Sequence, residues 1–575
     1  MIKKLKKRVF ITPFFLGNNT VIIKYLLYIL FVAFSISYLL PNHYGLWFTV
    51  YQDMVMFFVL LILLILVISS SKKVHIHFLF YFTLLISCIP WLQYIFKNIF
   101  FFGDAFIVFI YLLAFSFSIF VGFNLVRVFS LAKVLYYISL AIIFVSIVSV
   151  YIQLQQWLLL ANGSIWMADL PPGGRPFANF AQPNNLATFL CLGVLSTFYL
   201  FEKKKINYKV GSILALFILL GLALTQSRTV WCFFFCFLIW WGWKYRDINT
   251  RLKKTIPFIF FVIFGLILFS LPYISDFLNI TQVRAFAERA SNGYERLDVW
   301  KQMLYAVFQQ PIWGYGWNQI GVAQVTVTQE IPVSILIDSS HNILLDLLLW
   351  NGLPLGILII SVFTWRLYCL SKLTSSPEVF IALSMLGAIL THAMLEYPLA
   401  YAFFLIPFGL IIGALESIDP KIRVFNIPSL PLNVFIFCTV IAYIWVFVEY
   451  RKVEKDNELL QYEMKNIGTL HSDTDTPDII LLTQLREYIR FFRTEPAAGM
   501  DHKKTEWARH VAYRYPNSIS LYRYAQMLAF NGHSELAMQH LDILNKLYNV
   551  NLSLESLYID NNSLSFEWNN KGLKP

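Results

Sequence analysis

The chain has 575 residues, of which 58% are hydrophobic and only 14% are charged. A soluble domain carries about 25% charged residues, so this composition excludes an ordinary soluble protein and indicates that most of the chain lies in lipid. The formal net charge of +12 comes from Lys and Arg clustered in short loops between apolar runs, which is a topology signal and not a nucleic-acid site.

The basic N-terminus, Met1 to Arg8, precedes an apolar stretch in the manner of a signal peptide. No small-residue cleavage site follows Leu40 and many apolar runs come later, so we interpret this region as a first transmembrane helix with a cytoplasmic anchor. About thirteen runs are long enough to cross a bilayer as helices. They are roughly 21–40, 54–70, 76–96, 104–124, 132–156, 184–201, 210–226, 229–243, 256–273, 343–370, 379–397, 400–416 and 433–450.

Lys and Arg fall mainly on alternate loops of this pattern, as in the run Lys203 to Lys205, and are scarce in the short loops between. Cytoplasmic loops carry an excess of these residues, so the N-terminus is predicted to be cytoplasmic. An odd number of spans then places the C-terminal tail in the periplasm. The sequence therefore predicts an all-α polytopic bundle of about 12–13 transmembrane helices in a bacterial inner membrane.

Three outer segments are too polar for spans and too long for turns. We predict a transmembrane domain over residues 1–450, including periplasmic loops 157–185 and 274–341, and a periplasmic helical tail over 451–575. The tail contains two helical patterns, TEWARHVAYRYPNSISLYRYAQML and AFNGHSELAMQHLDILNKLYN, joined by an Asn531-Gly532 turn. They resemble one tetratricopeptide-like hairpin, which cannot bury its own face and is expected to pack on the rest of the chain. A generic helical appendage and a partner-binding module fit this pattern equally well.

The outer segment from Gly173 to Asn185 carries the most polar groups next to a span. Its glycines and prolines predict an irregular backbone, and Arg175 offers a planar fork suited to phosphate oxygens. Gln182, Asn184 and Asn185 come where a helix N-terminus would favour anions. The alternative is a simple helix-capping turn.

Three further outer constellations are candidates for chemistry. Arg228, in Gln226-Ser227-Arg228-Thr229, must either snorkel or bind an anion. His341 lies in the run from Asp338 to Asn342, and a histidine side chain can in general act as a base or an acid, although a lone histidine is often structural. Glu396 and Tyr397 begin a short outer turn, in which a carboxylate and phenols can bind sugar or orient a base. The alternative is a belt of tyrosines at the membrane interface, and this alternative fits Tyr401 best.

The large loop contains one mixed-charge helical pattern. Its spacing suits i, i+3 and i, i+4 pairing, so a solvated face is expected, with an added anion-binding arginine as the alternative. The residues are Arg284, Glu288, Arg289, Glu295, Arg296 and Asp298.

Several site classes are missing from the sequence. It has no P-loop, dinucleotide fingerprint or HExxH motif, and its six cysteines lie in or beside apolar runs without CxxC spacing. The clearest charges within spans are Lys24, Asp346 and Glu449, which form no regular array of the kind an ion-driven transporter needs. The polar groups crowd the outer rim, which favours an enzyme acting at the surface of the bilayer.

Four segments together carry a family resemblance. RPFANFAQPNNLATFLCLG (Arg175 to Gly193) resembles the signature of the PglL-type protein O-oligosaccharyltransferases, within the O-antigen ligase and polymerase superfamily. LLPNHYGLWFTVYQD (39–53), IPWLQYIF followed by GDAF (89–106) and SSHNILLDLLLWNGLPLG (339–356) resemble the same group in the same order. Where family members often have glycine after the aromatic residue of the first motif, this chain has Ala178.

The resemblance implies transfer of a preassembled glycan from undecaprenyl pyrophosphate to a protein hydroxyl, for example on a pilin, without a nucleotide, metal or other cofactor. It implies catalytic roles for Gln182, His341 and Tyr397, and donor pyrophosphate binding by Arg175 and Arg228. Asn184, Asn342 and Glu396 are the supporting candidates around them.

Two alternatives share much of this reasoning. An O-antigen ligase that attaches glycan to lipid A-core, or a repeat-unit polymerase, would use nearly the same site with another acceptor. A lipid-linked sugar flippase belongs to a different class and would show charges facing a central cavity and internal symmetry, neither of which is clear here.

Overall fold

The computed structural model describes residues 20–558 apart from 72, 161–162, 172, 281–293, 466, 470–471 and 473. The basic N-terminal segment and Arg284, Glu288 and Arg289 of the mixed-charge pattern lie outside the described residues. The side chains of Lys24 and Glu295 lie outside them as well.

Helices dominate the described residues and form the predicted all-α bundle. In chain order they are α1 (Thr20–Leu39), α2 (Val50–Ser70), α3 (Phe78–Ser87), α4 (Ile89–Ile95), α5 (Phe102–Phe129), α6 (Leu131–Trp157), α7 (Pro183–Glu202), α8 (Tyr208–Thr225), α9 (Arg228–Lys244), α10 (Ile256–Phe277), α11 (Tyr294–Gln309), α12 (Ile320–Val327), α13 (Ile343–Ser371), α14 (Pro377–Ala393), α15 (Ala402–Glu416), α16 (Leu430–Met464), α17 (Thr483–Arg493), α18 (His502–Arg514), α19 (Ser518–Phe530) and α20 (Ser534–Tyr548). Short 3-10 turns occupy Pro398–Ala400 and Leu554–Tyr558. Each of the thirteen predicted spans coincides with one helix, with two exceptions: 76–96 is the pair α3 and α4, and α13, at 343–370, is broken by a kink at Gly352, whose φ is +71°.

Nine of the helices within the described residues are long and apolar enough to cross a membrane, with α3 and α4 counted together. The described part of α1 (Tyr25–Leu39), α14 and α15 are shorter apolar helices, and α9 is apolar over 17 residues. A helix satisfies its own backbone hydrogen bonds, which a lipid environment requires. The chain is therefore a multi-pass membrane protein.

One small sheet departs from the all-helical prediction. Strands β1 (Lys73–His77) and β2 (Val424–Pro428) pair antiparallel, with Lys73 opposite Pro428 and His77 opposite Val424. Asn124 of α5 brackets β1, because its side chain accepts from the His75 amide and donates to the His75 carbonyl. The sheet ties the segment before α3 to the segment before α16.

Close packing around α5 and α7 builds the core of the bundle. A Cβ atom added at Gly122 would lie 2.1 Å from the Leu410 carbonyl oxygen, and one at Gly413 would lie 2.0 Å from the Ile119 carbonyl oxygen. Glycine at these positions therefore allows α5 and α15 to approach closely. Helix α7 is almost entirely buried among its neighbours, so the residues at its N-terminus are held by a rigid element.

The tail is docked on the bundle, as the predicted incomplete hairpin requires. Helix α16 runs without a break through the predicted boundary at residue 450, and its buried Glu449 accepts from the backbone amides of residues 480–482 at 2.8–3.0 Å. Arg514 of α18 forms a two-pronged ion pair with buried Asp104 at the start of α5. The Gly103 amide donates to Thr483 Oγ1 at 2.8 Å.

One prediction about the tail was wrong. The first helical pattern is not one helix but two, α18 and α19, because Pro516 interrupts it and the Asn517 side chain caps α19 by accepting from the Ser520 amide. The Asn531-Gly532 turn between α19 and α20 is confirmed.

Candidate active site

The Glu396 carboxylate is the point at which the predicted segments meet. Its Oε2 lies 2.9 Å from Nδ1 of His341 and accepts from Gln182 Nε2 at 3.4 Å. Its Oε1 accepts from Asn184 Nδ2 at 3.2 Å and pairs with the Arg296 guanidinium. Residues from three separate regions of the chain therefore share this one carboxylate, whose side chain is only 7% exposed.

Electrostatics keep this carboxylate ionised. Burial alone would raise the pKa of Glu396, but the hydrogen bond with His341 and the charges of His341 and Arg296 outweigh it, so the pKa lies below its usual range. An ionised carboxylate only accepts hydrogen bonds, so Nδ1 of His341 must carry the proton between them. In neutral His341 this arrangement leaves Nε2 as the basic nitrogen.

A strained loop presents His341. The residue has φ +57°, in the left-handed region that non-glycine residues rarely adopt, and its amide donates to Ser339 Oγ at 3.0 Å. Asp346, buried in the first turn of α13, accepts from Ser339 Oγ at 2.6 Å and from the Ser340 amide at 2.8 Å. Asn342 caps α13 by accepting from the amides of residues 344 and 345. Asn342 therefore supports the loop by holding the start of α13.

The segment before α7 is equally constrained. Ala178 has φ +52° and Ala181 has φ +57°, so both adopt the conformation that glycine favours. Gln156, near the end of α6, accepts from the amides of Phe177 and Ala178 and donates to the Ala178 carbonyl at 2.8 Å. Asn179 donates to the carbonyls of Leu39 and Trp166, which ties the segment to the end of α1 and to an earlier part of its own loop. The segment ends at Gln182, the residue before the first turn of α7.

Tyr397 stands beside the histidine. Its ring centroid lies 5.6 Å from that of His341 and 5.8 Å from that of Tyr401. Burial, together with the nearby charges of Asp338 and Glu396, raises the pKa of Tyr397, so the phenol stays protonated and can donate a hydrogen bond. Tyr401 packs next to Tyr397 and against Phe403, whose ring centroid lies 5.2 Å away.

The two predicted pyrophosphate arginines lie around the turn between α8 and α9. Arg175 reaches the carbonyls of Thr225 and Gln226 at 3.4 and 3.5 Å, and Arg228 is the first residue of α9. Ser227, the residue before α9, donates to Asn184 Oδ1 at 2.7 Å. Asn184 thus links this turn to Glu396.

Three functional candidates were missed or misjudged from the sequence. Arg296 was expected on a solvated face, yet it pairs with Glu396 because the large loop folds back over the site. Gln156 lies at the end of an apolar run, and a polar side chain at that position was the available signal. Asp346 was noted only as a charge within a span, whereas it holds the histidine loop.

Three family models and two known proteins match this chain. Residues 176–201 match a family described as "Protein glycosylation ligase", residues 213–360 one described as "O-Antigen ligase", and residues 380–555 one described as "Virulence factor membrane-bound polymerase, C-terminal". The chain is 31% identical over 554 residues to a "General O-oligosaccharyltransferase" of Acinetobacter baylyi, covering 94% of this chain and 96% of that protein. It is 28% identical over 499 residues to a "ComP-specific O-oligosaccharyltransferase" of the same organism, covering 86% and 89%.

Proposed function

Because this chain belongs to the family of bacterial protein O-oligosaccharyltransferases, we propose that it transfers a preassembled oligosaccharide from undecaprenyl pyrophosphate to a Ser or Thr hydroxyl of a pilin-like protein. The observation that carries the proposal is the Glu396–His341 pair beside the start of α7. A basic nitrogen, an orienting carboxylate and nearby arginines are the groups that this transfer needs.

His341 is proposed to activate the acceptor. Nε2 takes the proton of the acceptor hydroxyl as its oxygen bonds to the first carbon of the glycan, and the imidazolium that forms is stabilised by Glu396. A positioned general base typically contributes 10²–10⁴-fold to a rate. The left-handed backbone of His341 is consistent with this role, because such strain persists where the surrounding structure enforces it.

Arginines are proposed to hold the leaving group. As the bond from the glycan to the pyrophosphate oxygen breaks, negative charge develops on the phosphates, and Arg175 and Arg228 would stabilise it. Arg296 joins this set in our proposal, because it lies beside Glu396 with its side chain 31% exposed. The planar guanidinium group of arginine matches the geometry of phosphate oxygens better than the compact ammonium group of lysine does.

The remaining candidates are proposed to position the reactants. Gln182 and Tyr397 flank the His341–Glu396 pair and would orient sugar or acceptor by hydrogen bonds. Asn184 and Asn342 act indirectly, the first by linking Glu396 to the α8–α9 turn and the second by capping α13.

We also propose where the protein works. The charge pattern of the loops supports a cytoplasmic N-terminus and a periplasmic tail, with the site on the periplasmic side of the inner membrane. In this arrangement residues 1–450 form the catalytic membrane domain with its loops 157–185 and 274–341, and residues 451–575 form the tail.

The proposal is tested by reconstitution. Purified protein in liposomes is given a purified pilin and either an undecaprenyl-pyrophosphate oligosaccharide or the matched monophosphate. We expect a glycan-sized mass shift on the pilin with the pyrophosphate only. Glu378→Gln, which alters a carboxylate at the opposite end of α14, serves as the matched control and should retain transfer.

The same preparation separates the alternatives. Transfer to lipid A-core without modification of the pilin would assign the protein to the ligase branch. Movement of the lipid-linked glycan across the bilayer without transfer to any acceptor would identify a flippase and contradict the proposal.

A further inference from the structure

Helix α11 is apolar on two opposite sides. Its inner side, which includes Val299, Met303 and Val307, is buried in a cluster with residues of α12 and α13. Its outer side carries Leu297, Leu304 and Phe308, which are 57%, 49% and 63% exposed. Helical spacing places these three side chains in one stripe.

Most polar residues on the exposed side of α11 lie beside this stripe and not within it. Lys301 lies within the stripe, and exposed Asp298 and Gln309 lie about a quarter turn away, at 100° per residue. An apolar stripe with an embedded lysine and a polar flank is typical of a helix that lies in a membrane interface, with the lysine reaching lipid phosphates.

The stripe is continuous with a surface that faces lipid. Beyond α11, exposed Ile312 and Trp313 extend it, and the Trp313 ring lies 6.1 Å from that of Phe96. Phe96 directly follows the span Phe78–Ile95, whose last turns expose Leu92 and Ile95. The exposed face of α11 and the lipid-facing side of this span therefore form one apolar surface.

Contacts with α13 place this surface at the edge of the hydrocarbon layer. The Tyr315 amide donates to the Leu349 carbonyl and the Leu353 amide donates to the Pro311 carbonyl, both at 2.7 Å. The kink at Gly352 lies at this level, and from Leu353 to the end of α13 at Ser371 the helix is about 28 Å long at 1.5 Å per residue, close to the thickness of the hydrocarbon layer. The segment after α11 thus lies where hydrocarbon meets headgroups.

We propose that the exposed face of α11 is embedded in the interfacial region of the outer leaflet. The leaflet assignment rests on the proposed function, whereas the contact with lipid does not. Arg296, in the first turn of α11, is thereby held at headgroup depth next to Glu396, where the pyrophosphate of a lipid-linked donor lies. The membrane itself then helps to set the position of this arginine.

Cysteine accessibility tests the proposal in the full-length protein. Leu304→Cys and Phe308→Cys are compared with Asp298→Cys and Gln309→Cys on the polar flank, in open membrane fragments treated with a charged, impermeant maleimide. Labelling of the parent protein, whose Cys88, Cys232, Cys236 and Cys438 are exposed, is subtracted, and each variant is normalised to its labelling in SDS. We expect the two stripe positions to react at least about tenfold more slowly than the flank positions, since the interface excludes the charged reagent.

Equal labelling of stripe and flank would overturn the proposal. Protection that disappears when the protein is diluted into excess lipid would also overturn it, because a second copy would then be covering the stripe. Both sides of an open fragment are accessible and no transfer is measured, so failure of this test is distinct from failure of the proposed function.

Discussion

The buried Asp346 carboxylate should control transfer without touching a substrate. In Asp346→Asn the carboxylate charge is removed and one of its two acceptor oxygens becomes a donor, so the charge-assisted hydrogen bonds from Ser339 and from the Ser340 amide cannot both be kept. A hydrogen bond to a charged group contributes about 1.5–3 kcal/mol to stability. The left-handed backbone conformation of His341 is unfavourable by ~1–2 kcal/mol, and the hydrogen bonds of the loop must offset this strain. Loss of about 2–3 kcal/mol of support for His341 corresponds to a fall in kcat/KM of about 30- to 150-fold.

The assay is transfer of glycan to a pilin by purified protein, with kcat and KM for the lipid-linked donor measured separately. The fall is expected in kcat, because Asp346 does not reach the arginines that would bind the donor. Asp298→Asn, a change at an exposed acid of α11, is the matched control and should behave like the parent. An Asp346→Asn protein that is folded in the membrane and has the parental kcat would refute this reasoning.

Three further changes follow from the same contacts. Glu396→Gln should lower kcat by about 10²–10⁴-fold. Because its partners depress the pKa of Glu396, the parent protein should also lose thermal stability as the pH falls below about 4. The variant should lose less, and thermal melting of both proteins in detergent measures the difference. Ala178→Gly should leave transfer intact and raise Tm, because glycine relieves a left-handed strain of ~1 kcal/mol; an unchanged or lower Tm would contradict the strain argument. Arg514→Ala leaves buried Asp104 unpaired, which should destabilise the docked tail by about 3–5 kcal/mol. Limited proteolysis should then release the tail rapidly. Resistance to proteolysis equal to that of the parent would contradict the docking role of this pair.

Long apolar runs made the spans predictable, because a helix that crosses lipid needs about 20 apolar residues regardless of its neighbours. The same runs did not show that 76–96 is two helices, α3 and α4, with Pro90 at the start of the second. Nor did they show the β1–β2 pair, whose strands come from distant parts of the chain and have no local signal.

The candidate site was predictable where polar residues interrupt apolar ones. Gln182, His341 and Glu396 stood out for this reason, and the structure brings them together. Arg296 did not stand out, since local i, i+4 charges explained it well enough, and only the fold of the large loop brings it to Glu396. Pairing over a hundred residues cannot be read from spacing along one helix.

The split of the first tail pattern could have been predicted. Pro516 followed by Asn517 is a helix stop and a helix cap in the expected order, but the aromatic spacing on both sides obscured it. By contrast, the role of Glu449 in accepting three backbone amides of the tail depends on a docking geometry that the sequence does not express.

The most direct test of the account is glycosylation in a bacterial host supplied with this protein, a lipid-linked oligosaccharide and a candidate pilin, with His341→Ala alongside. The account predicts a glycan-sized mass shift on the pilin that disappears with His341→Ala while the variant remains in the membrane at the parental level. Full glycosylation by the variant would contradict the role of His341. An unmodified pilin with sugar on the lipopolysaccharide core would contradict the protein acceptor.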